Sequence, residues 1–597
     1  MIYFNNKMKK PNKIFVTTTI KSTWGDNENI FFLGEWCKKY NEKHIWNDRN
    51  NTTIPWHWSN RSKIKEDFNY LKSLYEKILI ELVYELNCTH KVNHSLRYWR
   101  IVLGPWLITY MPVIWDRWEN VKSFGDLKIE SKTIIPHQNI SPSVANDYNA
   151  AIQLMSSNDV WNYLIYCDIL QAQKIDSIKI VKKNILLDEE NKSSKKQSPW
   201  FVPIVVKLDK FLRKIYKVNN YDFVIYKGYF QFRFLLKLFY KVRQIPRIYS
   251  EFEKEIDYKD GCSFTRPKLN IDPNLTYFER FLYGRIFKDM PSAYLEGYEN
   301  LSSYCASLPD AKVIFTANAH FHNEKFKVWS AQQISRGGKL IISEHGGAIA
   351  SELAELSSHE DKICDKKVVW HMALHAKHIR LSPNKLIKKY SDYVNSDSQV
   401  TMVGLELPRY SYRCQSGPNS SLILDDFNQK VNFIDLLDAK TRAAFKVRPY
   451  PNRGWFTKDR YSNIYGKEII SKNKTLNESY RMSKLIICTY PKTTFSEAMH
   501  SGVPTILLYI EKYWELHPAF NELLIKLKKA GIVYSDPIKA AKHVNNISHN
   551  PKIWWNKEET IHARNMFFDI CGTVSDNPLD DWSCFLNKTK DGVSLDF

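Results

Sequence analysis

From residue 311 the chain alternates short apolar runs with amphipathic stretches. "KVIFTAN" predicts a strand, "EKFKVWSAQQISRGG" a helix closed by glycine, and "KLIIS" the next strand. The alternation continues through "KVVWHMAL", "VTMVGL", a helix around "NFIDLLDAKTRAAF", then "FKVRP", "LIICT", the helix "TTFSEAMHSG" and the strand "PTILLY". Strands that alternate with helices predict a parallel sheet covered on both faces, which binds ligands beyond the carboxyl ends of its strands.

Before residue 311 the texture is mixed. An opening strand "KIFVTTT" precedes the helical run "EDFNYLKSLYEKILIELVYELNCTH" and an aromatic-rich block from "NHSLRYWRIVLGPWL" to "IWDRWENV". Dense tryptophans such as Trp99, Trp106, Trp115 and Trp118 are expected in the core. "LDEENKSSKKQSPW" has the composition of an exposed loop. The expected organisation is an α/β domain over 1–310 with helical insertions, a Rossmann-like domain over 311–550, and a helical tail over 551–597 that packs back on the first.

With 597 residues, 44% of them hydrophobic and 14% aromatic, the chain is folded and long enough for more than one core. Its 86 Lys and Arg against 64 Asp and Glu leave a net charge of +22, which favours an anionic partner. No zinc finger, basic zipper or RNP-type motif is present, so nucleic acid is not the expected partner. The ten cysteines form no CxxC pair, against a zinc ribbon or a disulfide-stapled domain. "MIYFNNKMKKPNK" lacks the apolar core of a signal peptide, and "IVLGPWLITYMPVIW" is too short and too broken by proline to span a bilayer. The cytoplasm is the expected location. The aromatic-basic segment "YKGYFQFRFLLKLFYKVR" leaves peripheral contact with the inner membrane face open, against the blander reading of a helix with one face in the core.

Three predicted strand ends carry candidate chemistry. In "SEHGG", Gly346 and Gly347 allow close backbone approach or positive φ, and Glu344 or His345 offers a base toward a hydroxyl; taken alone, the stretch is equally a turn. In "FKVRPYPNRGW", Pro449 and Pro451 fix an extended path that directs Arg448, Tyr450 and Arg453, and arginine forks suit phosphate or carboxylate. In "LIICTYPKTTFSEAMHSG", Thr493, Thr494 and Ser496 stand at the first turn of a helix, where free amides attract phosphate, with Glu497 just inside. One hydroxyl is an ordinary cap; three exceed what a cap needs.

The order of a strand-end HG motif, an Arg-Pro motif and a Ser/Thr-rich helix start followed by Glu-Ala and G-P-T resembles the carboxyl-terminal domain of GT-B glycosyltransferases. More narrowly, it is similar to bacterial capsule-type sialic-acid and Kdo transferases that bind a CMP-sugar through an HP motif and a Ser/Thr pair. With "FFLGEWCKKY", "HIWNDRN", "NHSLRYWRIVLGPWL" and "DRWE", most of the chain resembles a family of transferases from O-antigen and surface-polysaccharide clusters. The resemblance implies two Rossmann-like, doubly wound domains facing a cleft. It implies a nucleotide-sugar donor as substrate, no separate cofactor, no metal, and a glycan or lipid-linked glycan acceptor.

On that resemblance Arg448 takes the place of the HP histidine and Thr493-Thr494 the place of the phosphate-gripping pair. Arginine at 448 leaves CMP- and nucleotide-diphosphate sugars both open. Glu344 or His345 is the candidate base, and Glu35 in "FLGEW" is a rival to them. An ulosonic-acid donor would place its carboxylate near Gly346, Gly347 and Arg453. His320, His322, His371, His375 and His378 pass the spacing test for zinc only weakly, and structural roles are favoured for them. Two rivals remain: transfer of a phosphorylated polyol from a CDP-polyol, and a non-catalytic glycan-binding scaffold.

Overall fold

The computed structural model describes residues 13–26, 29–185, 187, 220–247, 249–258, 264–347, 349–386 and 399–593. The N-terminal "MIYFNNKMKKPN" and nearly all of the expected loop "LDEENKSSKKQSPW" lie outside them.

Among the described residues, fifteen strands form three five-stranded sheets, each parallel throughout its described pairs. The first contains β1 (Lys13–Val16), β2 (Asn29–Phe32), β3 (Asn51–Thr53), β4 (Ser131–Pro136) and β5 (Ile178–Lys183) in the order β3-β2-β1-β4-β5. The second contains β6 (Asn220–Ile225), β7 (Asp310–Thr316), β8 (Lys339–Ser343), β9 (Lys366–Val369) and β10 (His378–Arg380), ordered β10-β9-β8-β7-β6. The third contains β11 (Gln399–Val403), β12 (Phe445–Arg448), β13 (Ser483–Cys488), β14 (Thr505–Leu508) and β15 (Val533–Tyr534), ordered β12-β11-β13-β14-β15. Central strands such as "LIIS" and "LIIC" are buried along their whole length, as strands covered on both faces must be.

The chain therefore has the Rossmann-like parallel α/β character expected of it, with one addition. The regular text after residue 311 divides between two sheets, and the expected boundary at 310/311 falls after the first residue of β7, which pairs with β6. The second and third sheets meet at Gly346 and Thr493, and the first sheet's unit meets the third through Arg409, which donates to the Trp36 carbonyl and to Asp159. The last helix, Pro578–Asp591, returns from the third sheet to the second, where Trp582, Phe585 and Leu586 join Phe223, Phe315 and Ile341 in one apolar cluster.

Two long helices join the units. Helix Arg61–His90 starts on Asn60, whose side chain accepts from the amides of Ser62 and Lys63, and buries Ile64, Phe68, Leu71, Tyr75, Ile78, Leu82 and Leu86 at helical spacing. Helix Gly104–Asp126 is apolar almost all round and correspondingly buried, with Pro112 inside it. Among the described residues no helix is long and apolar enough to cross a membrane. Trp99 and Trp106 are fully buried, as expected of core tryptophans.

Arg117, fully buried on the second of these helices, pins three segments together. It donates to Asp116 Oδ2 (2.6 Å), to Asn162 Oδ1 (2.9 and 3.0 Å), to the Met155 carbonyl (3.0 Å) and to the Ser411 carbonyl (2.6 Å) beside the third sheet. Truncation strands a buried carboxylate and several acceptors, so Arg117→Ala should lower unfolding free energy by about 3–5 kcal/mol in a urea titration. A loss below about 1 kcal/mol would show that these contacts do not hold the units together.

Candidate active site between the second and third sheets

β8 delivers Glu344, His345, Gly346 and Gly347 to the carboxyl edge of the second sheet. Both glycines are there for space. A Cβ on Gly346 would lie 2.0 Å from Thr493 Oγ1, and one on Gly347 would lie 2.5 Å from Trp370 Cβ. Neither glycine has positive φ, so of the two uses expected for the pair, close approach is the one found. The closest neighbour in that approach is the start of helix Thr493–His500 on the third sheet, which brings two of the three motifs into contact.

Glu344 is held rather than free. Its Oε2 accepts from the Trp370 amide (2.8 Å) and its Oε1 pairs with His371 Nε2 (3.2 Å), while His371 Nδ1 donates to the Met372 carbonyl (2.6 Å). Burial alone would raise the Glu344 pKa, but the His371 charge, Lys367 and the Trp370 amide bring it down to about 2. Burial likewise opposes charge on His371, and Glu344 overcomes it, so the imidazole pKa is raised. A carboxylate this weakly basic is a poor proton acceptor and suits a positioning role.

His345 differs. Its ring is exposed and has no hydrogen-bond partner among the described residues, with Tyr229 beside it at a ring separation of 6.1 Å. Loss of hydration lowers its pKa against the opposing Glu360 charge, which leaves neutral imidazole at pH 7. Behind it stands a buried network: His320 Nε2 donates to Glu360 Oε1 (3.1 Å), and Glu360 Oε2 pairs with Lys367 Nζ (2.8 Å). Lys367 also donates to Ser357 Oγ (2.6 Å). His322, whose Nδ1 bonds Asn149 Oδ1 (2.9 Å), has its pKa pushed down to about 4 by desolvation and then by the Arg413 charge.

Across the contact, helix Thr493–His500 has no side-chain cap, and the amides of Thr493 and Thr494 have no acceptor among the described residues. Its three expected hydroxyls do not converge. Thr493 faces Gly346, the Thr494 hydroxyl bonds to the Tyr490 hydroxyl, and Ser496 is fully buried with an unpartnered Oγ. Glu497 pairs with Lys385. The residue missed in the sequence is Lys492, between Pro491 and the threonines. Its Nζ donates to Ser351 Oγ (2.6 Å) and reaches the Ile349 carbonyl (3.4 Å), and desolvation pulls its pKa down to about 8. Lys492 and Arg413 line a mostly apolar cavity of about 180 Å³ between the two long helices and the 351–357 loop.

The "RPYPNRGW" motif reaches this constellation at Tyr450, close enough to the Tyr490 phenol that bonds Thr494 to act on its ionisation. Arg448 turns away to donate to the carbonyls of Asn473 (2.6 Å) and Lys474 (3.2 Å), and Tyr450 and Arg453 are exposed. The loop is built around Glu406, almost fully buried after β11, which accepts from the amides of Arg453 (2.6 Å), Trp455 (3.0 Å) and Thr457 (3.2 Å) and from Thr457 Oγ1 (2.5 Å). Glu35 sits elsewhere: it pairs with Lys38 (3.0 Å), and its amide donates to Ser421 Oγ (3.2 Å), between the first and third sheets. No contact among the described residues joins it to His345.

A sequence profile of transferases matches residues 13–586, nearly the whole chain. The chain belongs to the LIC12162 family of transferases. No curated protein matches it in sequence. Among solved structures it is similar to an α,α-trehalose 6-phosphate synthase from Burkholderia multivorans (11% identity, TM-score 0.29, 50% of this chain and 76% of that one). It is also similar to an assigned UDP-N-acetylglucosamine 2-epimerase from Listeria monocytogenes (12% identity, TM-score 0.32, 50% and 79%). At such low scores these likenesses carry no weight for the family member.

Asp361, His375 and His378 of this transferase bring three donor atoms within 4.8 Å of one another. Their surroundings have the wrong polarity for a metal. His378 Nδ1 accepts from the Leu374 amide (3.2 Å) and His375 Nδ1 from the Lys377 amide (3.2 Å), which keeps the proton on each Nε2; a metal-bound imidazole donates from its second nitrogen. His378 Nε2 spends that proton on Asp361 Oδ1 (2.9 Å).

Two outcomes are expected. The depressed Glu344 pKa contributes stability above its unfolded value of 4.5 that is lost as pH falls toward about 2. The raised His371 pKa contributes stability fully present below 6.5 and lost as pH rises through the folded value. The pair is strongest between those limits, so His371→Gln should flatten the dependence of Tm on pH at both ends and cost about 3 kcal/mol near pH 6. A mutant curve parallel to wild type would show that the pair does not titrate with folding. Arg448→Ala should cost about 1–2 kcal/mol through its lost carbonyl contacts and leave ligand binding at the β8 edge unchanged.

Proposed function

We propose that this family member is a glycosyltransferase that uses a nucleotide-activated sugar, with the donor phosphate at the start of helix Thr493–His500 and His345 as the base. The observation that carries this reading is the contact of Gly346 with Thr493, which sets an uncommitted imidazole beside an uncapped helix start and a partly desolvated lysine. The acceptor hydroxyl attacks the anomeric carbon as the bond from that carbon to the donor phosphate oxygen breaks. The hydroxyl proton passes to His345, and the charge left on the nucleotide phosphate is taken up by Lys492 and the amides of Thr493 and Thr494. Glu344 fixes the β8 loop through His371. This division of roles gives no step to a resident cofactor or metal.

A surface-polysaccharide or O-antigen acceptor, and an ulosonic acid as the transferred sugar, are the finer forms of the proposal. An ulosonic carboxylate would face Lys492 rather than Arg453, since Arg453 lies on the separate Glu406 loop. The neighbouring histidines His322 and His345 also favour a second reading, transfer of a phosphorylated polyol from a CDP-polyol, in which the same cradle grips the cytidylate.

A thermal-shift panel of CMP, CDP, UDP, GDP and dTDP tests both. One nucleotide at about 100 times its Kd should stabilise the wild type by about 2.7 kcal/mol. The effect should disappear in Lys492→Met and survive in Arg448→Ala. Stabilisation by none of the five, or equal stabilisation of Lys492→Met, contradicts the placement. With the donor class named, activity should vanish in His345→Gln while nucleotide binding persists. The pH–rate profile should fall on the alkaline side near about 8, and Lys492→Arg should move that limb upward. A scaffold without turnover would show no such limb.

A further inference from the structure

Helix Phe232–Lys241 carries three different faces. Leu235, Leu238 and Phe239, with Val242 just beyond, point to the second sheet, and Leu238, Phe239 and Val242 are buried in the cluster that includes Phe223, Phe315 and Trp582. Phe232, Leu236 and Tyr240, spaced i, i+4, i+8, form a stripe on the outside, 72%, 38% and 86% exposed. Arg233, Lys237 and Lys241 form a second stripe one position on, also exposed. A helix that only covers a core needs the first face. Large apolar side chains held in water beside a row of cations are not explained by core packing.

We propose that this helix is an interfacial anchor that lays the protein on an anionic bilayer, with the apolar stripe among the acyl chains and the basic stripe at the headgroups. Charge identifies the occupant. Lys241 is paired with Asp580 (2.7 Å), but Arg233, Lys237 and Arg243 have no carboxylate partner among the described residues. Ile245, half exposed just past the helix, extends the apolar side. The width of the combined stripes, about half the helix circumference, matches a helix lying in the plane of a membrane interface.

The anchor also has a position relative to the site. Tyr229, three residues before the helix, is 44% exposed and stands beside His345, and its hydroxyl accepts from Asn318 Nδ2 (2.6 Å). The loop from β6 to the helix therefore runs from the site wall to the proposed membrane surface. A protein seated this way presents its cleft edge close to headgroups, where an acceptor carried on a lipid would be found. The anchor itself does not depend on the sugar-transfer reading.

Flotation of the full chain with vesicles tests it. Vesicles of phosphatidylcholine with about one-third phosphatidylglycerol should carry the wild type, pure phosphatidylcholine should not, and raised salt should release it. The double variants Phe232→Ser/Tyr240→Ser and Arg233→Gln/Lys237→Gln should each lower the partition coefficient about tenfold, with unchanged circular dichroism and unchanged nucleotide-induced thermal shift. Wild-type protein that ignores both vesicle types, or double variants that bind as well as wild type, would overturn the proposal. So would a concentration-dependent dimer that Phe232→Ser/Tyr240→Ser dissociates without any vesicle binding, since the stripe would then be a contact between copies.

Discussion

A methyl group does not fit at Gly346. Its hydrogen would have to be replaced by a carbon 2.0 Å from Thr493 Oγ1 and 2.6 Å from Thr493 Cγ2, well inside van der Waals contact. That closeness lets the carboxyl edge of one parallel sheet meet the helix start that follows β13 of another. The long helices, the Arg117 node and the returning Pro578–Asp591 helix hold the units so that the meeting persists. Without it, an imidazole and a helix N-terminus would be separate features of separate sheets.

Electrostatics then divides the residues at this junction by task. Every carboxylate close to it is committed: Glu344 to His371, Glu360 to Lys367 and His320, Glu497 to Lys385. What carries no carboxylate partner among the described residues is imidazole and cation, namely His345, His322, Arg413 and Lys492, of which Lys492 bonds Ser351 and His322 bonds Asn149. A cleft whose acids are neutralised internally and whose free groups are neutral or positive is suited to an anionic ligand. The lowered Lys492 pKa has the same origin, because a lysine half removed from water without a carboxylate partner gives up its proton more readily.

Parallel α/β architecture was legible because a strand buried on both faces leaves an unbroken apolar run, as in "KLIIS" and "LIIC". How many sheets those strands make was not, because β6 and β7 lie 85 residues apart in sequence yet pair at Asn220 and Asp310. At the site, "SEHGG" and "KTTFSEA" stood out through glycines and hydroxyls at strand ends. Arg448 stood out for the same reason, and the sequence does not reveal that its guanidinium donates to the carbonyls of Asn473 and Lys474. Lys492 and Glu406 were overlooked in plain text. Glu406, directly after the apolar run "VTMVGL", had a signal: an acid beyond a strand end, where loop amides need acceptors.

The joint itself is the most direct thing to measure, through a double-mutant cycle on unfolding free energy with Gly346→Ala, Thr493→Ala and the pair. Thr493→Ala removes the two closest of the three Thr493 atoms that the new methyl would strike and leaves Cβ at 2.8 Å, so the loss caused by Gly346→Ala should shrink in that background without vanishing. A coupling of at least about 1 kcal/mol, with nucleotide-induced stabilisation lost in Gly346→Ala and partly regained in the pair, is what this account predicts. Additive losses, or a Gly346→Ala protein as stable and as responsive to nucleotide as wild type, would contradict it.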